Sequence, residues 1–361
     1  MKELVLISTG IGHVQRGFEV YIHTLANKLV SSFELEVYGG GDKLNDALYD
    51  YHKVWTIKRN AFLYKFFRVS ESKKLALEQF FFFVGMLRFR SGLRNKVFYL
   101  GEYQLYCYLY KLRAFLGLNF NLVLYTGGQA APGIFDNKKD FVHHITNVYL
   151  DYTSQVGISL ERQFLIPHFV AFDFTIDQGI VSAIKEKAKG RKIVLSIGTL
   201  DFSIKQMHLI PALLKEVANE VFVILLGSQT AESHLVKLEF EKVFDKEQYE
   251  FIAVKHDQVG NYLVAADVLV QCSKRESFGL VYLEAAYFNV PIVTNDFEEV
   301  RYVLGTNALF LPMDNVEFSS KSIKDFFNSI PEVKTRQWVV SQYDWISLRD
   351  KYIDMFNKMM V

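Results

Sequence analysis

Residues Gln271 to Asn295 read QCSKRESFGLVYLEAAYFNVPIVTN. The apolar run Ala266-Asp267-Val268-Leu269-Val270 leads into this stretch and predicts a strand. A polar turn follows at Ser273-Lys274-Arg275, and then Glu276-Ser277-Phe278-Gly279. Leu280, Leu283, Ala286 and Tyr287 recur at helical spacing, and Val290-Pro291-Ile292-Val293 predicts the next strand. Together these elements make a βαβ unit. Its polar groups gather at the carboxyl end of the first strand, where open α/β sheets bind ligands.

The chemistry of the stretch follows from position. Glu276 lies in the turn, and the backbone N–H groups of Phe278, Gly279 and Leu280 open the helix. A helix start offers unpaired donors and a positive dipole end, which suits phosphate or sugar oxygens. Gly279 allows close approach to the backbone, and Ser277 adds a hydroxyl. Glu284 falls two turns further on, roughly 12 Å along the axis at about 1.5 Å per residue. That spacing fits two ends of one elongated ligand and is too long for two carboxylates sharing a proton. Taken alone, Glu276 equally suits a dipole partner, and Glu284 a surface acid.

The extended pattern narrows the choice. Glu276-Ser277-Phe278-Gly279-Leu280-Val281, then Leu283-Glu284-Ala285, with Pro291-Ile292-Val293 beyond, resembles the signature of the retaining GT-B glycosyltransferases that carry an E-x7-E motif. The resemblance is to the family 4-like "glycosyl transferases group 1". It implies an α/β chain of two Rossmann-like, doubly wound parallel-sheet domains facing across a cleft. It also implies that Glu276 faces the donor sugar and that Glu284 holds the ribose hydroxyls of a sugar nucleotide.

Upstream, strands and helices alternate. Strands are expected at Ile193–Gly198, Val221–Leu226 and Tyr249–Val254, and helices at Met207–Val217, Ser233–Phe244 and Val259–Ala265. Such alternation means a parallel, doubly wound sheet. Ile197-Gly198-Thr199-Leu200-Asp201 with Lys205 resembles the family loop in which an Arg after the Gly and a later Lys hold the diphosphate. Lys205 matches; Thr199 stands where the Arg is usual. Gly198, Thr199, Gly227 and Ser228 are expected near the nucleotide. Asn289 replaces a common Gly, which its tolerance of positive φ makes mild. Asp296-Phe297 replaces a glycine pair, while Glu299 matches.

The amino-terminal part opens with a strand at Leu4–Ser8, a loop Gly10-Ile11-Gly12-His13 and a helix from Phe18 to Val30. Gln15 stands where G-x-G-x-x-G needs its third glycine, so the dinucleotide fingerprint fails. Gly17-Phe18-Glu19 resembles the family's Gly-x-Glu, and Gly10 and Gly12 its glycine-rich loop. That loop would face the donor phosphates and the acceptor, with His13 and Arg16 near either. Further strands are expected at Leu35–Tyr38, Asn121–Tyr125 (ending in Thr126-Gly127-Gly128-Gln129) and Phe141–Ile145. In the family a histidine of this domain often reaches the donor sugar. His143 and His144 point to opposite faces of a strand, so at most one faces the site; His144 is the candidate.

Domains are expected at 1–170 and 171–341, with a final helix at 342–361 packing back on the first. Leu165–Val170 resembles the family's strand into the linker, and the polar run Asp177 to Lys189 lies near the boundary.

Half of the 361 residues are hydrophobic, ample for two cores, and 32 Phe and 20 Tyr make the chain aromatic. The formal net charge of +1 hides a contrast. Lys53 to Phe115 holds thirteen basic and three acidic residues, a balance of +10 that leaves −9 for the rest. The same region carries Trp55, Phe62, Tyr64, Phe66, Phe67, Phe80 to Phe83 and four Tyr from Tyr103 to Tyr110. Three readings fit it: an interfacial surface on an anionic membrane, a single-stranded nucleic-acid groove, or aromatic core beneath a solvated cationic face. The resemblance favours membrane over nucleic acid.

Cys107 and Cys272 are the only cysteines, which fits a reducing cytoplasm. Leu4-Val5-Leu6-Ile7 is too short for a signal-peptide core, and no window of about 18 apolar residues predicts a membrane span. A cytoplasmic chain is expected, at the inner face of the membrane if the basic region docks there. No D-x-D or Cys-His zinc spacing occurs, so no metal is expected. The sequence thus predicts a metal-independent retaining enzyme. It would move a sugar, hexosyl in type, from a nucleotide-sugar to a glycan or lipid-linked acceptor. Thr199 and Asp296 keep open a non-catalytic sugar-nucleotide-binding scaffold, and a GT-B epimerase is the other alternative.

Overall fold

The structure, a computed structural model, describes residues 3–14, 17–65, 69–127 and 133–360. The chain forms two compact units, one of Met1–Pro167 with Arg349–Val361 and one of His168–Leu348.

The first unit is built on seven strands: β1 (Glu3–Ser8), β2 (Leu35–Gly39), β3 (Asp50–Lys53), β4 (Lys96–Leu100), β5 (Asn121–Thr126), β6 (Phe141–His144) and β7 (Gln163–Leu165). They pair in the order β3-β2-β1-β4-β5-β6-β7, all parallel. In β4 and β5 every residue is buried, as strands covered on both faces must be. One side of the core packs Val5, Ile7, Phe98 and Leu122 with Phe82, Met86 and Leu109 of the covering helices Glu71–Met86 and Tyr103–Leu116.

The second unit has six strands: β8 (Lys192–Ile197), β9 (Val221–Leu226), β10 (Tyr249–Ile252), β11 (Val268–Gln271), β12 (Ile292–Asn295) and β13 (Leu309–Leu311). Their order is β10-β9-β8-β11-β12-β13, again all parallel. Its core joins Val194, Val223, Val268 and Val293 to Ile210, Leu213, Phe240 and Ile323. The two doubly wound α/β sheets are the architecture that the alternation predicts.

Several local expectations change. Met207–Val217 is not one helix but a 3-10 turn, a short α-helix at Ile210–Leu214 and a second 3-10 turn. Pro211 lies in the first turn of that α-helix, the place where a missing N–H costs least. The strand expected at Leu165–Val170 ends at Leu165, just before Pro167 removes a ladder donor. The polar run at Asp177 to Lys189 is a helix, Gln178–Ala188, whose N-cap Asp177 accepts from the N–H groups of Gly179 and Ile180.

The region Lys53 to Phe115 differs most. It holds β4 and two covering helices, and part of its charge is internal. Lys96 is buried and pairs with Glu36 at 2.8 Å and Glu3 at 3.0 Å. Arg113 is buried against Asp140, and Arg59 pairs with the fully buried Glu78. Phe66, Phe67 and Arg68 of this region, like Arg16 and the loop residues Gly128 and Gln129, lie outside the described residues. No helix among the described residues is long and apolar enough to cross a membrane.

Candidate functional site

The second sheet reverses its strand order between β8 and β11: β9 and β10 lie on one side, β12 and β13 on the other. Such a point leaves a crevice beyond the carboxyl ends of its two strands. Gln271, the last residue of β11, ties the strands there. Its Oε1 accepts from Ser196 Oγ at 2.8 Å, and its Nε2 donates to the Ile197 carbonyl at 2.7 Å.

The loop after β8 carries Lys205 and the loop after β11 carries Glu276. Lys205 Nζ donates to Glu276 Oε2 at 2.5 Å. A backbone bond runs beside it, from Lys274 N–H to the Ile204 carbonyl at 2.7 Å. Both charged side chains are largely buried, at 20% and 15% exposure, so the pair is less screened than a surface one.

Close packing shapes the floor. Gly198 has φ +150°, and the Lys205 stem crosses it at 3.0 Å from where a Cβ would stand. At Gly227 a Cβ would stand 1.7 Å from the Gly198 carbonyl oxygen, so the two loop starts touch backbone to backbone. Thr199 turns inward and donates to Asp201 Oδ2 at 2.5 Å.

In the loop after β11, Ser277 is exposed, while Phe278 is buried against His168 and Tyr343. Gly279 takes φ +74° as the N-cap of the helix Leu280–Tyr287. A Cβ there would meet the Tyr282 ring at 2.3 Å, so only glycine fits this entry. The helix therefore begins at Leu280, and the Tyr282 N–H is already taken by the Gly279 carbonyl at 2.9 Å. Glu284 lies on the buried side of that helix, 5% exposed, and its Oε1 meets His256 Nε2 at 3.1 Å. It is not a surface acid. The Glu284 carboxylate raises the His256 pKa above its usual value, against the opposing effect of burial.

In the first unit, His143 and His144 do face opposite ways, and both are buried. His143 bonds the Tyr99 hydroxyl and the Ile166 carbonyl. His144 has Thr126 Oγ1 at 3.2 Å on Nδ1 and Gln163 Oε1 at 3.0 Å on Nε2. Burial lowers its pKa to about 4, so it stays neutral. In this structure the His144 ring is engaged on both nitrogens by its own unit. Gly10 and Gly12 pack against protein, Gly10 on the Glu19 carboxylate and Gly12 on the Asp42 backbone.

Residues 177–337 match the sequence profile described as glycosyl transferases group 1. That segment is similar to the group 1 glycosyltransferases. No curated protein matches the chain by sequence. Solved structures do match in fold. Sucrose-phosphate synthase (tll1590) from Thermosynechococcus elongatus superposes with a TM-score of 0.79 at 15% identity, covering 99% of each chain. Anabaena Alr3699/HepE in complex with UDP and glucose gives 0.74 at 12% identity, covering 99% of this chain and 100% of that one. WaaG, a glycosyltransferase involved in lipopolysaccharide biosynthesis, gives 0.69 at 13%, covering 98% and 99%. The fold is that of the GT-B glycosyltransferases.

Within the group 1 segment, the departures from the expected pattern have visible consequences. Asn289 takes φ +56°, the conformation a glycine would supply, and its side chain accepts from the Arg336 N–H at 2.9 Å. Asp296 forms a two-pronged pair with Arg301, at 2.5 and 2.7 Å. Two residues that sequence reasoning leaves unassigned stand at the site. His256 covers Glu284, and Asp201 holds the Lys205 loop. No spacing rule pairs His256 with a residue 28 positions away. Asp201 closes the quoted run Ile197-Gly198-Thr199-Leu200-Asp201, and that place was its one signal.

Proposed function

We propose that the chain is a retaining glycosyltransferase that moves a hexosyl group from a nucleotide-sugar to a glycan or lipid-linked acceptor without a metal ion. The observation that carries this reading is the Lys205–Glu276 pair at the β8/β11 reversal, with Glu284 buried on the adjoining helix. The diphosphate would draw Lys205 toward itself, with the N–H groups at the start of the helix Leu280–Tyr287 completing its contacts. Glu276, released from Lys205, would position the sugar. Glu284 would accept the ribose hydroxyls, displacing His256. An acceptor hydroxyl would attack the anomeric carbon from the face the diphosphate leaves. The bond from that carbon to the diphosphate oxygen breaks, the bond to the acceptor oxygen forms, and the acceptor proton passes to the departing phosphate. UDP and UDP-glucose bound to Alr3699/HepE support a nucleotide donor for a chain of this fold.

The test is product analysis by NMR with UDP-, GDP- and ADP-sugars and mixed glycan and glycolipid acceptors. Expected is acceptor-dependent release of one nucleoside diphosphate, undiminished by EDTA, with the donor's anomeric configuration kept. Inverted product or EDTA-sensitive turnover contradicts the mechanism. Donor binding without any turnover favours the scaffold reading, for which Thr199 speaks. Conversion of the free donor to its epimer favours the epimerase.

The acceptor side includes a proposed peripheral membrane contact. Leu77, Phe80 and Val84 lie along one face of the helix Glu71–Met86 and are exposed. Trp55 and Phe62 are 61% and 65% exposed, and the Trp55 ring packs on Phe81. Lys73, Arg88 and Lys111 are exposed nearby in sequence; of the three acids, Glu78 and Glu102 are buried and the exposed Glu71 pairs with Lys74 at 2.7 Å. Apolar side chains among surface cations that outnumber the one exposed acid suit an anionic lipid headgroup layer. Sedimentation with phosphatidylglycerol vesicles, reduced for Phe80→Glu and weak with phosphatidylcholine, is expected; equal sedimentation with both lipids contradicts it.

A further inference from the structure

Lys205 sits on a loop that one buried side chain holds together. Asp201 is 6% exposed. Its Oδ1 accepts from the N–H of Ile204 at 2.8 Å and of Lys205 at 2.7 Å. Its Oδ2 accepts from Thr199 Oγ1, and its backbone carbonyl accepts from the Met207 N–H at 3.0 Å. The following residue, Gln206, has φ +49°, a left-handed conformation that a non-glycine residue holds only when its surroundings fix it. The base of the loop is anchored separately. Leu200 N–H donates to the Ser228 carbonyl, Phe202 N–H donates to Glu232, and Leu200 O accepts from Thr230 and Ser233 hydroxyls. Burial alone would push the Asp201 carboxyl up, but the donors from Thr199, Ile204 and Lys205 outweigh it and hold its pKa below the usual range.

This arrangement assigns a purpose to Thr199. Its hydroxyl is committed to Asp201 and does not replace the missing guanidinium at the ligand. With one cation in place of two, the aim of that cation matters more, because a charge-assisted hydrogen bond weakens steeply off its best distance and angle.

We infer that Asp201, capped by Thr199, is the positioning residue that aims Lys205 at the donor diphosphate. Both carboxylate oxygens of Asp201 are committed to donors of its own loop, Oδ1 to the Ile204 and Lys205 amides and Oδ2 to Thr199, so it acts through those amides. The inference rests on the reading of Lys205 as a diphosphate contact, and the experiment separates the two.

Calorimetry would measure UDP, GDP and ADP, with the matching monophosphates, against wild type, Lys205→Ala, Asp201→Ala and Asp201→Asn. Lys205→Ala reports on the underlying reading alone. If wild type binds no nucleoside diphosphate, or Lys205→Ala leaves diphosphate affinity unchanged, that reading fails and the inference falls with it. If Lys205→Ala weakens diphosphate binding, Asp201 is decisive. Expected for Asp201→Ala is a loss of about tenfold for the diphosphate with the monophosphate changed by less than about twofold. Asp201→Asn, which keeps Oδ1 as an acceptor, should restore most of it. Amide exchange at Ile204 and Lys205, measured without ligand, should quicken in Asp201→Ala and stay slow in Asp201→Asn. An unchanged diphosphate affinity in Asp201→Ala, or equal losses for both nucleotides, overturns the inference.

Discussion

Lys205 Nζ lies 2.5 Å from Glu276 Oε2, joining loops that leave adjacent strands at the point where the second sheet reverses its order. A partly buried pair of this kind is stable only while both partners remain, because removing one strands the other. In the proposed reading a ligand phosphate would compete with Glu276 for the same ammonium. Glu276→Gln removes the competing charge and the proposed sugar contact together. Nucleoside diphosphate affinity is expected to hold or rise, while turnover falls by about a hundredfold or more. Calorimetry beside initial rates checks both; turnover within threefold of wild type would contradict the role of Glu276.

Contact with Glu284 makes His256 pH-sensitive. Its folded pKa is raised, chiefly by the hydrogen bond to Glu284. The stabilisation is therefore present below the unfolded value and lost as pH rises through the folded one. Since the proposed ribose site is the same carboxylate, donor affinity should rise with pH across that window. In His256→Gln the dependence should flatten. Calorimetric titrations at several pH values between acid and mildly alkaline solution test this directly.

Glu102 offers a stability measurement in the first unit. Burial raises its pKa from 4.5 to about 7, with the Thr9 N–H as an opposing, smaller influence. Between these values the folded chain holds a proton that the unfolded chain releases, so stability falls as pH rises from 4.5 to about 7. The shift corresponds to about 3 kcal/mol at alkaline pH. Glu102→Gln should recover part of this at pH 8, leaving stability at pH 5 nearly unchanged, as read from denaturant midpoints.

Gly227 has no room for a side chain. A Cβ would stand 1.7 Å from the Gly198 carbonyl oxygen. Gly227→Ala must push the start of the loop after β9 away from the loop after β8, at a cost of about 3 kcal/mol or more. A melting temperature unchanged by this substitution would contradict the backbone contact.

The stretch around Glu276 was legible because its pattern is local. A buried strand, a polar turn and an apolar helix within 25 residues define β11, its loop and the helix Leu280–Tyr287. The alternation behind β8 to β12 was legible for the same reason. The first unit was harder to read between Lys53 and Phe115. Lys96 opens β4 yet is buried, and its ammonium is satisfied by Glu3 and Glu36, far away in sequence. Charge that is internal looks the same in a sequence as charge on a surface. Arg59, Lys96 and Arg113 belong to the interior, and only the remaining cations bear on a membrane. The contacts of Glu284 with His256 and of Asp201 with the Lys205 amides depend on loop geometry, which carries no periodic signal.

The most direct test of the nucleotide-sugar site is a thermal-shift screen of wild type and Glu284→Ala against UDP-, GDP- and ADP-sugars. Expected is a rise in melting temperature with one donor series, lost in Glu284→Ala while the unliganded proteins melt alike. No shift with any donor, or a shift of the same size in Glu284→Ala, would contradict the placement of the nucleotide at Glu284.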